Sequence, residues 1–185
     1  LPKFNGSSFS KQVHFQTASQ IPIQRWYPYR EGYSVKLVNA FLQELEINGN
    51  VFDPFSGSGT TLLAARQNNL QSFGIDVNPI SALVAKVENT SYNDNDIQDL
   101  SNEINKFMNL SRSDRFIFSS FNLAEKVFND EILQTLLYFR DYIFQITCER
   151  IRNIFFVAWL SIIEDVSNIK KEGNGIKYKN RRRTS

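Results

Sequence analysis

The chain has 185 residues, 21 basic against 19 acidic for a net charge of +2, and 42% hydrophobic residues, enough for one domain with a good core. Cys148 and His14 are the only residues of their kinds, which rules out an internal disulfide and makes a zinc or Cys-His site within this chain implausible. The N-terminal end carries no signal-peptide pattern, the chain has no internal repeat, and a single cysteine fits a cytoplasmic protein.

In chain order, the first distinctive string is Arg25-Trp26-Tyr27-Pro28-Tyr29, followed by Gly32-Tyr33-Ser34. Val35, Val38, Leu42 and Leu45 then recur at helical spacing, which predicts a helix with Ser34 as its N-cap. An apolar run over Asn50 to Pro54 predicts a strand, and Asp53 to Thr61 reads Asp-Pro-Phe-Ser-Gly-Ser-Gly-Thr-Thr ahead of a helical pattern. A second strand is expected over Gln71 to Val77, with Asp76 standing 17 residues past Gly59. Strand, glycine turn, helix, strand and acid form the series by which a Rossmann-type fold holds an adenosine cofactor. Glycines let the backbone turn tightly and approach a ligand, and the acid can grip two ribose hydroxyls. A dinucleotide fingerprint wants a third glycine where Leu62 stands, and a P-loop wants Lys before its Ser/Thr.

The string from Asp53 to Thr61 closely resembles motif I of S-adenosylmethionine (AdoMet) methyltransferases, specifically those that methylate exocyclic amino groups in DNA. The resemblance runs from about Arg25 to Val87, the aromatic string being similar to motif X of the same enzymes. It implies that Asp53, Pro54, Phe55, Ser56, Gly57, Ser58, Gly59, Thr60 and Thr61 hold the methionine end of AdoMet. Asp76 takes the ribose hydroxyls and Val77 packs on adenine. Tyr27, Pro28 and Tyr29 of motif X close over the methionine. The implied reaction is direct transfer of the sulfonium methyl to an exocyclic amine of adenine or cytosine, as in restriction-modification systems. Some RNA amino-methyltransferases carry close variants of motif I, so RNA stands as an alternative substrate.

In these enzymes the catalytic motif is Asp/Asn/Ser-Pro-Pro followed by an aromatic residue, acting on a base flipped out of the duplex. Pro2, Pro22, Pro28, Pro54 and Pro79 are the prolines here and no two are adjacent. The catalytic residues are therefore unassigned and expected outside this chain, with a second chain or a C-terminal continuation completing the sheet. The chain reads as a fragment, a nicked piece or one subunit of a split enzyme. A non-catalytic cofactor-binding or scaffolding subunit is the alternative of a different class.

From Asp94 the pattern turns helical. Ile97, Leu100, Ile104, Phe107 and Met108 form one stripe, and Ile132, Leu133, Leu136, Leu137, Phe139 and Ile143 a second. Between them, Arg115 to Ser119 is a candidate third strand. A third stripe, through Ile151, Ile154, Phe155, Ala158, Trp159, Ile162 and Ile163, is apolar on nearly all sides and so is expected to be buried between other elements. Its apolar run is too short to span a bilayer, so no membrane association is expected. Cys148 is expected as a small core residue of the second helical stretch.

Lys170 to Ser185 holds seven basic residues against one acid, leaving fourteen against eighteen elsewhere. Lys170, Lys171, Lys177, Lys179, Arg181, Arg182 and Arg183, with Gly173 and Gly175 among them, suit a flexible phosphate-contacting segment or a solvated basic loop. Lys177, Lys179 and Arg181 to Arg183 are the candidate nucleic-acid contacts, with DNA as partner. The expectation is thus α/β: a partial Rossmann-like methyltransferase fold with a mainly helical C-terminal half. Residues 1–93 would carry motif X and the AdoMet portion, 94–169 a helical insertion or separate helical domain, and 170–185 a basic flexible tail.

Overall fold

A computed structural model describes residues 22–29, 31–110, 122–172 and 175–179. The chain is mixed helix and strand, mainly helical, with two small sheets among the described residues. It divides into two compact units, Leu1–Tyr92 and Asn93–Ser185.

In the first unit, a short 3-10 turn over Gln24–Trp26 precedes helix α1, Val35–Glu44. Ser34 caps α1 as its spacing implies, its hydroxyl accepting from the Lys36 N–H at 3.2 Å. Val35, Val38 and Leu42 form the buried face, packed with Leu63 and Ala64 of α2, Thr60–Gln67. Leu45, expected on that stripe, lies beyond the helix end and is exposed. Strands β1, Val51–Asp53, and β2, Ser72–Gly74, pair in parallel with Phe52 opposite Phe73, so β1, α2 and β2 make one β-α-β unit. Both strands are shorter than their apolar runs. Ladder pairing stops where Pro54 and the glycine turn begin, and the backbone continues by single bonds, Ile75 N–H to the Asp53 carbonyl and Ser56 N–H to the Ile75 carbonyl, each 2.9 Å. Helix α3, Pro79–Asn89, starts on an Asn78 cap with Pro79 in its first turn, where a missing N–H costs nothing. The faces of Phe52 and Phe73 stack 5.9 Å apart and stay largely open, 58% and 65% exposed.

The second unit starts with α4, Asp94–Met108, closed at its N-terminus by an Asn93–Asp96 capping box. Then come α5, Asn122–Val127, α6, Asp130–Gln145, and α7, Glu149–Val166. Leu133, Leu136 and Ile143 of α6 and Ile151 and Val157 of α7 are buried. Phe107 of α4 is their aromatic joint, its ring 4.8 Å from Phe139, 5.6 Å from Tyr142 and 5.7 Å from Phe155. The rest of the α4 stripe is not buried: Ile97, Ile104 and Met108 are exposed. Nor is α7 enclosed among the described residues, for Ala158 and Ile162 are exposed while Ile151 and Val157 take the buried side. Cys148 also departs from expectation. It sits exposed at the N-terminal cap of α7, because α6 ends before it at Gln145 and the chain turns over Ile146–Cys148.

In place of a flexible tail from residue 170, β3, Ile169–Glu172, and β4, Gly175–Tyr178, pair as an antiparallel hairpin. The pairing extends one step further through Lys179 N–H to the Asn168 carbonyl, and Asn168 N–H ties its base to the Val127 carbonyl, both 2.7 Å. Backbone pairing thus continues through a stretch whose composition alone reads as solvated. The candidate strand at Arg115 to Ser119, His14 and Arg181 to Arg183 lie outside the described residues.

Candidate cofactor site

At the carboxyl ends of β1 and β2 the chain must reverse twice, and those two turns form one site. Gly57 has φ 51° and Gly59 φ 87°, left-handed values that favour glycine. A Cβ on Gly57 would lie 2.9 Å from the Tyr29 ring, so the aromatic string covers this turn directly. Gly74 has a different reason: a Cβ there would meet Ser56 at 2.8 Å, where β2 passes under the loop. Residues Ser56 to Thr60 are buried, while Pro54 and Phe55 are exposed.

The Asp76 carboxylate ties the two turns together. One oxygen accepts from the Gly57 N–H and the other from the Asn78 N–H, both at 2.8 Å. These are charge-assisted bonds to a half-buried anion, and each oxygen keeps a second lone pair for another donor. Beside it, Val77 is 97% exposed and Phe55 84%, and Ile75 is exposed too. An apolar surface at strand carboxyl ends, next to a carboxylate with spare acceptor capacity, is what an adenosine needs.

Asp53 is held by two donors, the Phe55 N–H on one oxygen at 3.0 Å and the Tyr33 hydroxyl on the other at 3.4 Å. The Tyr33 hydroxyl also shares a 2.6 Å bond with Thr61 Oγ1. Burial pushes the Tyr33 phenol up from its ordinary pKa, and the nearby Asp53 charge adds to this against the opposing Thr61 bond. Tyr33 therefore stays a hydroxyl donor at neutral pH. Thr60 is fixed from the other side by Gln24 Nε2 at 3.0 Å.

The structure thus gathers Tyr29, Asp53, the Phe55 to Thr61 loop, Asp76 and Val77 in one place. Tyr27 is half-buried and Pro28 exposed on the same segment, whose Tyr29 N–H bonds to the Tyr27 carbonyl at 2.8 Å. Tyr33, Gln24, Asn78 and Asn89 also serve this site, and sequence reasoning did not single them out. Asn78 had a readable signal, Asn-Pro after an acid and before an apolar helix. Gln24 and Asn89 had none, since a lone amide carries no pattern. Lys177 lies exposed on β4, but the Lys179 ammonium is turned onto the last carbonyls of α7, those of Glu164 at 2.8 Å and Asp165 at 3.0 Å. In the second unit, a groove of about 550 Å³ is lined by the charged Asp99, Glu103 and Lys106 and by Ile146, Cys148 and Ile151. Among the described residues no helix is long and apolar enough to cross a membrane, and no group of His, Cys, Asp or Glu is placed to hold a metal ion.

A family model for N6_N4_Mtase, a DNA methylase, matches residues 32–86. The chain is 27% identical over 177 residues to the Type II methyltransferase M.BsoBI of Geobacillus stearothermophilus, covering 91% of this chain and 34% of that protein. It is 27% identical over 178 residues to the Type II methyltransferase M.AvaI of Anabaena variabilis, covering 92% and 36%. To the Type II methyltransferase M.MjaII of Methanocaldococcus jannaschii it is 32% identical over 108 residues, 54% of this chain and 20% of that protein. The chain therefore spans about a third of the length of the first two relatives. No solved structure gives a significant match. The resemblance to DNA amino-methyltransferases carried by the motifs is shown by these matches.

Proposed function

We propose, from that resemblance, that this chain is the AdoMet-binding part of a DNA methyltransferase acting on the exocyclic amino group of adenine or cytosine, within a restriction-modification system. The observation that carries the reading is the Asp76 carboxylate bonded to Gly57 and Asn78, which ties motif I to the second-strand acid. The β-α-β unit beneath it is read as the start of a Rossmann-like methyltransferase sheet.

In this reading Asp76 accepts the ribose hydroxyls on its free lone pairs. Val77 packs on the adenine, and its exposure fits a face that a ligand covers. Asp53, oriented by Tyr33, and the Gly57–Gly59 turn face the methionine end, with Tyr29 over Gly57 as the lid. AdoMet, when bound, supplies the electrophilic methyl. The chain's own contribution is to hold that methyl in line for the incoming amine, so positioning dominates catalysis. The Pro-Pro catalytic motif lies outside this chain, in a continuation or a second subunit that also extends the two-stranded sheet. DNA phosphates are contacted from the basic C-terminal region. Lys177 and Arg181 to Arg183 are the candidates, and Lys179 serves the helix end instead.

Calorimetric titration with AdoMet tests the reading. Wild-type protein is expected to bind, and Asp76→Ala to weaken binding by about 1.5–3 kcal/mol through lost charge-assisted bonds. No binding by the wild type overturns the cofactor assignment, and unchanged binding by Asp76→Ala overturns the ribose site. Transfer of labelled methyl to duplex DNA rather than to transfer RNA, with the completing part present, then separates DNA from RNA. Cofactor binding without any transfer would favour a scaffolding subunit.

A further inference from the structure

Among the described residues, three buried side-chain atoms have no hydrogen-bond partner: Gln24 Oε1, Glu88 Oε1 and Asn89 Oδ1. Two of them belong to amides whose nitrogens hold consecutive residues at the end of the glycine loop. Gln24 Nε2 donates to Thr60 Oγ1 at 3.0 Å. Asn89 Nδ2 donates to the Gly59 carbonyl at 3.3 Å and to the Ala85 carbonyl at 2.9 Å. They reach the loop from 36 residues before and 30 residues after it.

A buried acceptor left without a donor is a standing cost, and an apolar side chain of similar size would avoid it. Each amide is therefore in place for its nitrogen. The contact at Gly59 is close as well as polar. A Cβ on Gly59 would lie 2.6 Å from Asn89 Nδ2 and 2.9 Å from the Ala85 methyl. Asn89 thus bears on both the carbonyl and the Cα of the residue where the loop becomes α2. On the far side of that junction, Gln24 fixes the first side chain of the helix. The Asp76 carboxylate accepts from the Gly57 and Asn78 N–H groups and bonds to neither amide.

We propose that Gln24 and Asn89 are positioning residues that clamp the Gly59–Thr60 junction from two sides. They thereby set the half of the site that meets the amino-acid end of AdoMet, independently of the adenosine half. This rests on the cofactor reading above. Two ligands separate the halves: AdoMet itself, and 5′-methylthioadenosine, which keeps the adenosine and sulfur but lacks the amino-acid end.

The experiment is calorimetry of both ligands on wild type, Gln24→Leu and Asn89→Leu, with a thermal melt of each. Gln24→Met and Asn89→Ala replace any variant that fails to fold. The expected result is a tenfold or greater loss of AdoMet affinity, with methylthioadenosine affinity held within twofold. Equal loss for both ligands means that the amides only support the fold, and overturns the inference. Unchanged AdoMet binding overturns it as well. A wild type that binds methylthioadenosine but gains nothing from the amino-acid end overturns it without touching the adenosine site. Binding of neither ligand by the wild type instead sinks the cofactor reading itself.

Discussion

Glu88 of α3 is only 3% exposed, and its Oε1 has no hydrogen-bond partner. Burial raises its pKa from 4.5 to about 8, so the folded chain keeps this carboxyl protonated at neutral pH. The unfolded chain has given up that proton by pH 5. The folded state therefore binds the extra proton between pH 4.5 and 8, and stability must fall as pH rises through that window. At about 1.4 kcal/mol per unit, the whole shift is worth on the order of 5 kcal/mol, present below pH 4.5 and lost by pH 8. That is a large share of the roughly 5–15 kcal/mol that holds an ordinary domain together. Glu88→Gln removes the titration. Its amide also pays for burial, but by an amount that does not change with pH, so the slope rather than the absolute value is diagnostic. The assay is urea unfolding at half-unit steps from pH 5 to 8.5, read by Trp26 fluorescence in a Trp159→Phe background so that the first unit reports alone. Wild type should lose stability across the series while Glu88→Gln stays nearly flat. Parallel curves for the two proteins would refute the reasoning.

Gly57→Ala should destabilise the first unit by roughly 1–2 kcal/mol for its left-handed backbone alone, and weaken AdoMet binding by pushing on Tyr29. Tyr29→Ala added in the same chain should restore part of the thermal stability but not the left-handed cost. Lys179→Met should cost the second unit about 1 kcal/mol, because its ammonium serves the last carbonyls of α7. Faster amide exchange at the end of α7 and in the β3–β4 hairpin would show it. Unchanged exchange would return Lys179 to the pool of surface cations.

What the amino-acid sequence carries legibly is local. The Ser34 cap, the two strand positions and the glycine turn depend on neighbours within a few residues, where side-chain chemistry and backbone conformation are coupled directly. The motif from Asp53 to Thr61 belongs to the same class, since its two glycines answer to their own φ values.

Burial was less legible. The stripes at Ile97, Ile104 and Ile162 have helical spacing, yet those residues are exposed, because periodicity says which face is apolar but not whether anything covers it. Cys148 failed as a core residue for another reason, a helix boundary having fallen before it. Tertiary structure alone decided what meets the loop: Tyr29 against Gly57, Tyr33 bridging Asp53 and Thr61, and the amides of Gln24 and Asn89 on Thr60 and Gly59. Each of these joins residues 20 or more positions apart. No local propensity encodes such a pairing; it exists only once α1, α2 and α3 pack. The amino-acid sequence alone was enough to point to an adenosine-binding turn of the methyltransferase kind. Packing chose the side chains that hold that turn still, and buried the Glu88 carboxyl next to one of them, Asn89, in the chain.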